Sequence, residues 1–176
     1  AYDPFMRPCW PTVPRDKWVC QIGVAYGPRW YIWNYLRWHY DNAIPMTVDE
    51  WQPVQLHETP HTFFGKAPDY RTFAMVHNRS LCTLSSANVD YVPMRVPEAM
   101  GMGQILLSDN TPTLRTVFGV PWPDNPQGIW IAHDRTAEGT ARAVEQAVCM
   151  TSDDRNALIS RALLTIWTGH LWYHRA

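Results

Sequence analysis

Cysteine is scarce in this sequence, and the few cysteines lie far apart. None of the four forms a C-x-x-C pair or another metal-binding spacing, so we expect reduced thiols and a cytoplasmic protein. Long apolar runs are also missing. No stretch of about 18 apolar residues could span a membrane, and the first residues lack the apolar core of a signal peptide. The cysteines are Cys9, Cys20, Cys82 and Cys149.

Neither sign of charge is in excess. The sequence has 15 Lys and Arg against 16 Asp and Glu, a formal net charge of −1. Bulk charge therefore does not indicate nucleic-acid binding, although it is compatible with a local basic groove. Apolar residues make up 46% of the 176 residues, which predicts one folded domain with a hydrophobic core. The ten tryptophans favour a partner surface or a ligand platform beside ordinary core packing.

Several motifs of nucleotide-binding and hydrolytic enzymes are absent. The sequence has no P-loop, no G-x-G-x-x-G dinucleotide fingerprint and no G-x-S-x-G elbow. Residues 57–61, HETPH, match the H-E-x-x-H of zinc hydrolases, but Pro60 would break the helix that brings both histidines to one face. No third ligand follows at a suitable spacing. We therefore interpret the segment as a surface loop and predict no metal site, with a zinc hydrolase as a minor alternative.

Predicted strands and helices alternate along most of the chain. Residues 1–16 are rich in proline and are predicted to form an arm or linker, and residues 17–176 a single domain. Strands are predicted at 17–24, 44–48, 62–65, 81–85, 105–108 and 129–132. Helices are predicted at 29–40, 69–78, 97–102, 111–117, 136–150 and from 151 onward. The alternation predicts an α/β fold, a Rossmann-like parallel sheet with helices on both faces.

The segment DYVPMRVPE, from Asp90 to Glu98, carries an arginine between two carboxylates and follows a predicted strand. Ligands of open α/β sheets bind outside the carboxyl ends of the strands, so this loop is expected at the binding rim. The helix that begins near Pro97 points its N-terminus at the same rim, which favours a phosphate. A carboxylate in the first turn also suits the helix dipole. A structural role for Glu98 therefore stays open beside a binding role.

Residues 88–109, NVDYVPMRVPEAMGMGQILLSD, resemble the C-terminal, nucleotide-sugar-binding half of GT-B glycosyltransferases, in particular the CgeB-like group of glycosyl transferases group 1. That group shows M-R-x-x-E-A between an asparagine-rich loop and a small-residue turn. The likeness covers essentially the whole chain. Further matching pieces follow in the same order: QIGVAYGPR at 21–29, FGKAP at 64–68, TPTL at 111–114 and HLWYHR at 170–175.

The resemblance implies one half of a GT-B fold that binds a nucleoside diphosphate sugar, with UDP- or GDP-sugars as the expected donors. The E-x7-E pattern of retaining enzymes implies Glu98 on the ribose hydroxyls and Asp90, shorter than the usual glutamate, near the donor sugar. Arg29 and Arg95 would hold the diphosphate and stabilise it as it leaves.

Further binding residues are implied at lower detail. Val96 and Pro97 lie at the helix N-terminus that would face the phosphates, and Gly23, Asp109 and Thr111 would line the rim. Such a site requires no divalent metal, because the arginines and the helix dipole neutralise the charge. The resemblance therefore implies a metal-independent and retaining glycosyltransferase.

GT-B enzymes bind the acceptor in a cleft between two Rossmann-like domains, and this chain shows one of them. The acceptor-binding domain is expected on another chain, in a homo-oligomer, or in a part that is missing here, and the acceptor itself is not predicted. Two other functions stay open. One is a non-catalytic nucleotide-binding partner module, and the other is a viral-type glycosyltransferase that modifies nucleic-acid bases.

Overall fold

Six strands and seven helices occur in the part of the chain that the structure, a computed structural model, describes: residues 12–24, 27, 29–51, 55–86 and 90–171. The strands are β1 (Lys17–Ile22), β2 (His57–Glu58), β3 (Thr62–Gly65), β4 (Ser80–Ser85), β5 (Ile105–Asp109) and β6 (Ile131–His133). The helices are α1 (Arg29–Asp41), α2 (Val48–Trp51), α3 (Tyr70–Arg79), α4 (Arg95–Gly101), α5 (Pro112–Phe118), α6 (Ala137–Val148) and α7 (Ser152–Gly169).

The strands form one sheet in the order β2-β3-β1-β4-β5-β6. All neighbours pair in parallel except β2, which runs antiparallel to β3 at the edge. The chain leaves β1 to build β3 on one side and then crosses back to build β4 on the other. The strand order therefore reverses between β1 and β4, and such a switch point opens a crevice at the carboxyl ends of the strands.

Helices cover both faces of the sheet, as the α/β prediction required. One layer, formed mainly by α1 and α6, includes Ile32, Trp33, Leu36, Ala141 and Val144. The opposite layer, formed by α3, α4, α5 and part of α7, includes Phe73, Val76, Val96, Met100, Leu114 and Ile166. Helix α7 joins the two layers, because Leu158 packs in the first and Ile166 in the second. None of the helices in the described ranges is long and apolar enough to cross a membrane.

Local capping explains where several helices begin. The Asp69 carboxylate accepts a hydrogen bond from the Thr72 backbone N–H at 2.7 Å and caps α3, as the sequence predicted. The Thr151 hydroxyl accepts from the Asp154 backbone N–H at 3.1 Å at the start of α7. These caps satisfy amide groups that have no partner inside the helix.

The prediction of a strand at 44–48 is wrong. Residues 42–47 form no regular element, and α2 begins at Val48. The side chain of Asn34 on α1 forms the hydrogen bonds with Met46 that a neighbouring strand would otherwise form. Its Oδ1 accepts from the Met46 backbone N–H at 2.9 Å, and its Nδ2 donates to the Met46 carbonyl. Strand β2 was not predicted. The arm predicted at 1–16 falls mostly on residues 1–11, which lie outside the described residues.

Candidate functional site

The crevice between β1 and β4 contains two neighbouring hollows at the carboxyl ends of the strands. The first has a volume of about 330 Å³ and is lined by Gln21 and Ser85 from the strands and by Arg29, Arg95 and Glu98 from the helices. The second, of about 510 Å³, lies toward β3. Phe73 and Arg95 line both hollows, so the two are contiguous. Volumes of this size are typical of small-molecule sites.

Gly23, just after β1, has two guanidinium groups close to it. A Cβ placed on Gly23 would lie 3.5 Å from Nη1 of Arg95 and 3.6 Å from Nη1 of Arg29. Gly23 also has a positive φ of 155°, which side-chain-bearing residues rarely adopt. The position therefore keeps the backbone bare at the point where two cations approach from different helices. Such an arrangement suits an anion with several oxygens.

Each of the two arginines is anchored by its own element. Arg29 begins α1, and its Nη2 donates to the Ser86 backbone carbonyl at 2.9 Å, just beyond the end of β4. Arg95 begins α4, and its guanidinium lies 5.8 Å from the centre of the Phe73 ring on α3. Because helices on opposite faces of the sheet supply them, the two arginines meet only at the switch point.

Glu98 lies on α4, three residues after Arg95, and lines the first hollow while being 4% exposed. A carboxylate at this depth interacts strongly with hydrogen-bond donors, because little water competes. The structure thus brings together four of the residues that the sequence had singled out: Gly23, Arg29, Arg95 and Glu98. Their roles stay predictions.

The start of α4 differs from the expected phosphate-binding helix N-terminus. The Val96 backbone N–H donates to the Pro93 carbonyl at 3.0 Å, the Glu98 N–H donates to the Met94 carbonyl at 3.3 Å, and Pro97 has no N–H. The side chain of Val96 is buried in the core. Neither Val96 nor Pro97 lines the two hollows, and the backbone N–H groups of Val96 and Glu98 are engaged within the loop and helix. Recognition of an anion here falls mainly to the arginines.

Asp90 and Thr111 meet at the N-terminus of α5. Oδ1 of Asp90 accepts from the Thr113 backbone N–H at 2.9 Å, and the Thr111 hydroxyl accepts from the Leu114 N–H at 3.2 Å. The Thr113 N–H holds the pKa of the exposed Asp90 carboxyl below its ordinary value. Both residues thus cap a helix in the described structure, and neither lines the two hollows. A contribution of Asp90 to catalysis stays a prediction.

Asp109, at the end of β5, lies in a separate polar cluster. Its Oδ2 is 3.1 Å from Nε of Arg135, and its Oδ1 is 3.5 Å from Nε2 of His133. Asp109 is almost fully buried and does not line either hollow. The structure therefore does not bring Asp109 to the arginine pair. Its carboxylate is instead paired with Arg135, just beyond the end of the neighbouring strand β6, and the sequence did not indicate this partner.

Sequence reasoning missed two residues of the crevice, Gln21 and Lys66. Gln21 lines the first hollow from β1, and Lys66 lines the second from the loop after β3. The signal for Gln21 was a polar residue inside an apolar strand. The signal for Lys66 was its position directly after a predicted strand that ends at Gly65, since ligands of α/β sheets bind where parallel strands end.

The H-E-x-x-H segment does not form a metal site. His57 and Glu58 lie on the edge strand β2, so a helix does not align the histidines. Glu58 forms an ion pair with Lys17 at 2.8 Å, and Nδ1 of His61 lies 2.6 Å from Oδ1 of Asp41. Across the described ranges, no group of three or more His, Cys, Asp and Glu could hold a metal ion. The helical arrangement on which the zinc-hydrolase alternative depended is therefore not formed by this segment.

Comparison with known proteins agrees with the geometry. The structure is similar to that of sucrose-phosphate synthase from Thermosynechococcus elongatus, with a TM-score of 0.52 and 12% sequence identity over 64% of this chain. The matched region spans 27% of that protein, so the similarity concerns one part of a longer chain and shows the fold. No curated protein matches the sequence.

A family model described as glycosyl transferase-like matches residues 26–176. The match includes the arginines, Glu98 and all elements from α1 to α7. The prediction that was made from the segment around Glu98 is therefore confirmed at the level of family and fold, a GT-B half with a Rossmann-like sheet. This chain belongs to the glycosyl transferase-like family.

Proposed function

We propose that this chain is the donor-binding domain of a glycosyltransferase and binds a nucleoside diphosphate sugar at the crevice between β1 and β4. The observation that carries the proposal is the convergence of Arg29 and Arg95 on Gly23. A diphosphate offers several charged oxygens, and guanidinium groups bind such oxygens through paired, charge-assisted hydrogen bonds. The position at the topological switch point, where α/β sheets bind nucleotides, supports the same ligand.

The remaining side chains suit the other parts of such a donor. Glu98 is a buried acceptor that fits the two hydroxyl groups of a ribose, and we assign it that role. The two contiguous hollows offer room on either side of Arg95 for the two ends of the donor. Arg29 and Arg95 would also stabilise the diphosphate as negative charge develops on it during bond cleavage.

We further infer that transfer needs no divalent metal and retains the anomeric configuration. The inference on the metal rests on the two guanidinium groups, which supply the positive charge that a cation would otherwise bring to the diphosphate. The inference on stereochemistry rests on the resemblance to retaining enzymes. A transfer assay in excess EDTA tests the first, and the anomeric proton signal of the first product in an NMR time course tests the second.

The match spans 27% of the similar protein, and we infer that an acceptor-binding domain completes the site for transfer. Donor binding and transfer can be tested apart: a nucleotide-binding module without catalysis would bind the donor but fail to transfer with any acceptor-binding partner.

The first experiment is a thermal-shift panel of UDP, GDP, ADP, CDP, TDP and their sugars, followed by titration calorimetry of the best ligands. A ligand at about 100 times its Kd should add roughly 2.7 kcal/mol to the free energy of unfolding. We expect a selective shift for one base, which Arg29→Met and Arg95→Met reduce. If every nucleotide leaves the wild-type melting temperature unchanged, donor binding by this domain is refuted.

A further inference from the structure

We propose that Gln21 donates a hydrogen bond from its side-chain amide to the diphosphate of the donor, as a third, uncharged ligand beside Arg29 and Arg95. The inference rests on the proposed function, because it concerns the same crevice. Gln21 lies on β1 and lines the first hollow together with both arginines. The diphosphate would then be bound by two cationic side chains and one neutral hydrogen-bond donor.

The position of Gln21 in the core is unusual for its chemistry. It is 2% exposed, and its neighbours Cys20 and Ile22 on β1 belong to the apolar core. Burial of an amide is costly unless its hydrogen bonds are satisfied. A polar side chain this deeply buried near the end of a strand therefore needs hydrogen-bond partners, which its apolar neighbours cannot supply.

Trp33 on α1 is one such partner and fixes the orientation of the amide. Nε1 of Trp33 donates to Oε1 of Gln21. An indole N–H can only donate, so the atom that faces Trp33 must be the carbonyl oxygen of the amide, and the NH2 group is turned away from the indole. Because Gln21 also lines the first hollow, the NH2 group is available to a ligand there.

The indole itself is held in place. Trp33 is fully buried and stacks on the Phe64 ring, with the ring centres 5.5 Å apart and the planes inclined by 5°. Rotation of the amide would put its NH2 group against the indole N–H, two donors facing each other. The donor of Gln21 is therefore oriented before any ligand binds, which lowers the entropic cost of binding.

The diphosphate is the part of the donor that this amide fits best. Gln21 lies next to the last residue of β1, and Gly23 follows the strand directly. The guanidinium groups of Arg29 and Arg95 converge at Gly23, and both arginines line the first hollow together with Gln21, so the amide shares the hollow in which the anion would lie. A neutral donor there adds a hydrogen bond to an oxygen without adding a third mutually repelling cation.

Three variants test the assignment by calorimetry with UDP and GDP as probes and uridine and guanosine as the matched ligands without phosphate. Gln21→Met removes the amide and should weaken diphosphate binding about 10- to 100-fold. Gln21→Glu still accepts from Trp33 but turns a carboxylate oxygen toward the phosphate. We expect a larger loss at neutral pH that recovers as the pH is lowered and the carboxyl protonates. Trp33→Phe frees the amide to rotate and should give a smaller loss.

Gln104→Met is the matched control. Gln104 is equally buried, but its Nε2 donates to the Ser80 carbonyl at 3.2 Å at the opposite end of the sheet. Its loss should lower the melting temperature and leave the UDP and GDP affinities unchanged.

The outcomes separate the inference from the proposed function. Loss of diphosphate affinity at Gln21 with unchanged nucleoside affinity supports the inference. Equal losses for nucleoside and diphosphate would place the effect away from the phosphates and overturn the assignment. Lower melting temperatures with unaltered affinities would show that Gln21 only satisfies Trp33. A loss confined to the nucleotide sugar would move the amide to the sugar and overturn the assignment. If the wild-type protein binds no nucleoside diphosphate, both the proposed function and this inference fail.

Discussion

Arg29 and Arg95 approach the same point from opposite faces of the sheet, with Nη1 of each within 3.6 Å of the position that a Cβ of Gly23 would take. Two like charges that converge on one point repel each other in a partly buried site, where screening is weaker than in water. An anion bound between them would relieve that repulsion as well as form hydrogen bonds. The pair therefore links affinity for a ligand to the stability of the ligand-free domain.

Arg95→Met should weaken UDP or GDP binding by about 1.5–3 kcal/mol, or roughly 10- to 100-fold, since a charged hydrogen bond is lost. The melting temperature without ligand should stay within a few degrees of the wild-type value, because one of two repelling charges is gone. Titration calorimetry and thermal denaturation check the two parts. Arg142→Met serves as the control. Arg142 forms an ion pair with Asp134 at 3.2 Å, and neither residue lines the two hollows of the crevice. An Arg142 variant with the same loss of affinity would point to a bulk charge effect.

Glu98→Gln should weaken binding of a ribonucleoside diphosphate by about 1–2 kcal/mol, because the amide offers one acceptor oxygen where the carboxylate offers two. The corresponding 2′-deoxyribonucleotide should lose less, since it lacks one of the hydroxyl groups. A double cycle of protein variant and ligand measures the difference. Glutamine preserves the volume of this buried side chain, so the melting temperature should change little. A cycle in which both ligands lose the same affinity would contradict contact with the ribose 2′-hydroxyl.

Asp90→Asn and Asp90→Ala should behave differently. Asparagine can still accept from the Thr113 N–H, so Asp90→Asn should keep the melting temperature, whereas Asp90→Ala should lower it. The Thr113 N–H lowers the pKa of Asp90 below the ordinary value of 3.8, so its stabilising effect is present above that pH and is lost as the pH falls through the folded-state pKa.

Turnover of the donor separates the cap from a catalytic role. If Asp90 lies beside the donor sugar, as the E-x7-E pattern implies, Asp90→Asn should reduce kcat even though the helix cap is intact. An asparagine variant with wild-type kcat in the complete enzyme would leave Asp90 with the capping role alone.

His133 should make the domain less stable in weak acid. Burial lowers its pKa below the ordinary value of 6.5, although Asp109 acts in the opposite direction. The unfolded chain then binds a proton more readily than the folded one, so the free energy of unfolding is greatest above the unfolded pKa and falls as the pH drops through the folded pKa. We expect urea-unfolding free energies of the wild-type protein to fall more steeply than those of His133→Asn between about pH 7 and pH 5. Parallel curves for the two proteins would exclude His133 as the group responsible.

Much of the fold could be predicted because its signals are local. Helix α3 begins at the Asp69 cap, and α6 has an apolar stripe through Ala137, Ala141 and Val144. Strand β2 could not be predicted in this way. Its two residues are held by pairing with β3 and by contacts of Glu58 with distant cations, and no periodicity exists in so short a segment.

The residues of the site likewise differ in whether a local segment of sequence indicated them. Arg95 and Glu98 lie three residues apart on one helix, so a single segment of sequence pointed to both. The role proposed for Gln21 depends on two contacts that are distant in sequence. Trp33 on α1 orients its amide, and the two arginines line the same hollow. Residue type alone could not show which end of that amide is held by Trp33 and which end is left for the crevice.

Helix α7 has a consequence for how the domain is made. Because it contributes Leu158 to one apolar layer and Ile166 to the other, neither layer is closed until α7 has docked. A ribosome that has released residues only up to the end of α6 would therefore hold a nascent chain with both faces of its sheet incompletely covered. All residues that line the crevice between β1 and β4 precede α7, so they are synthesised before the two apolar layers can close.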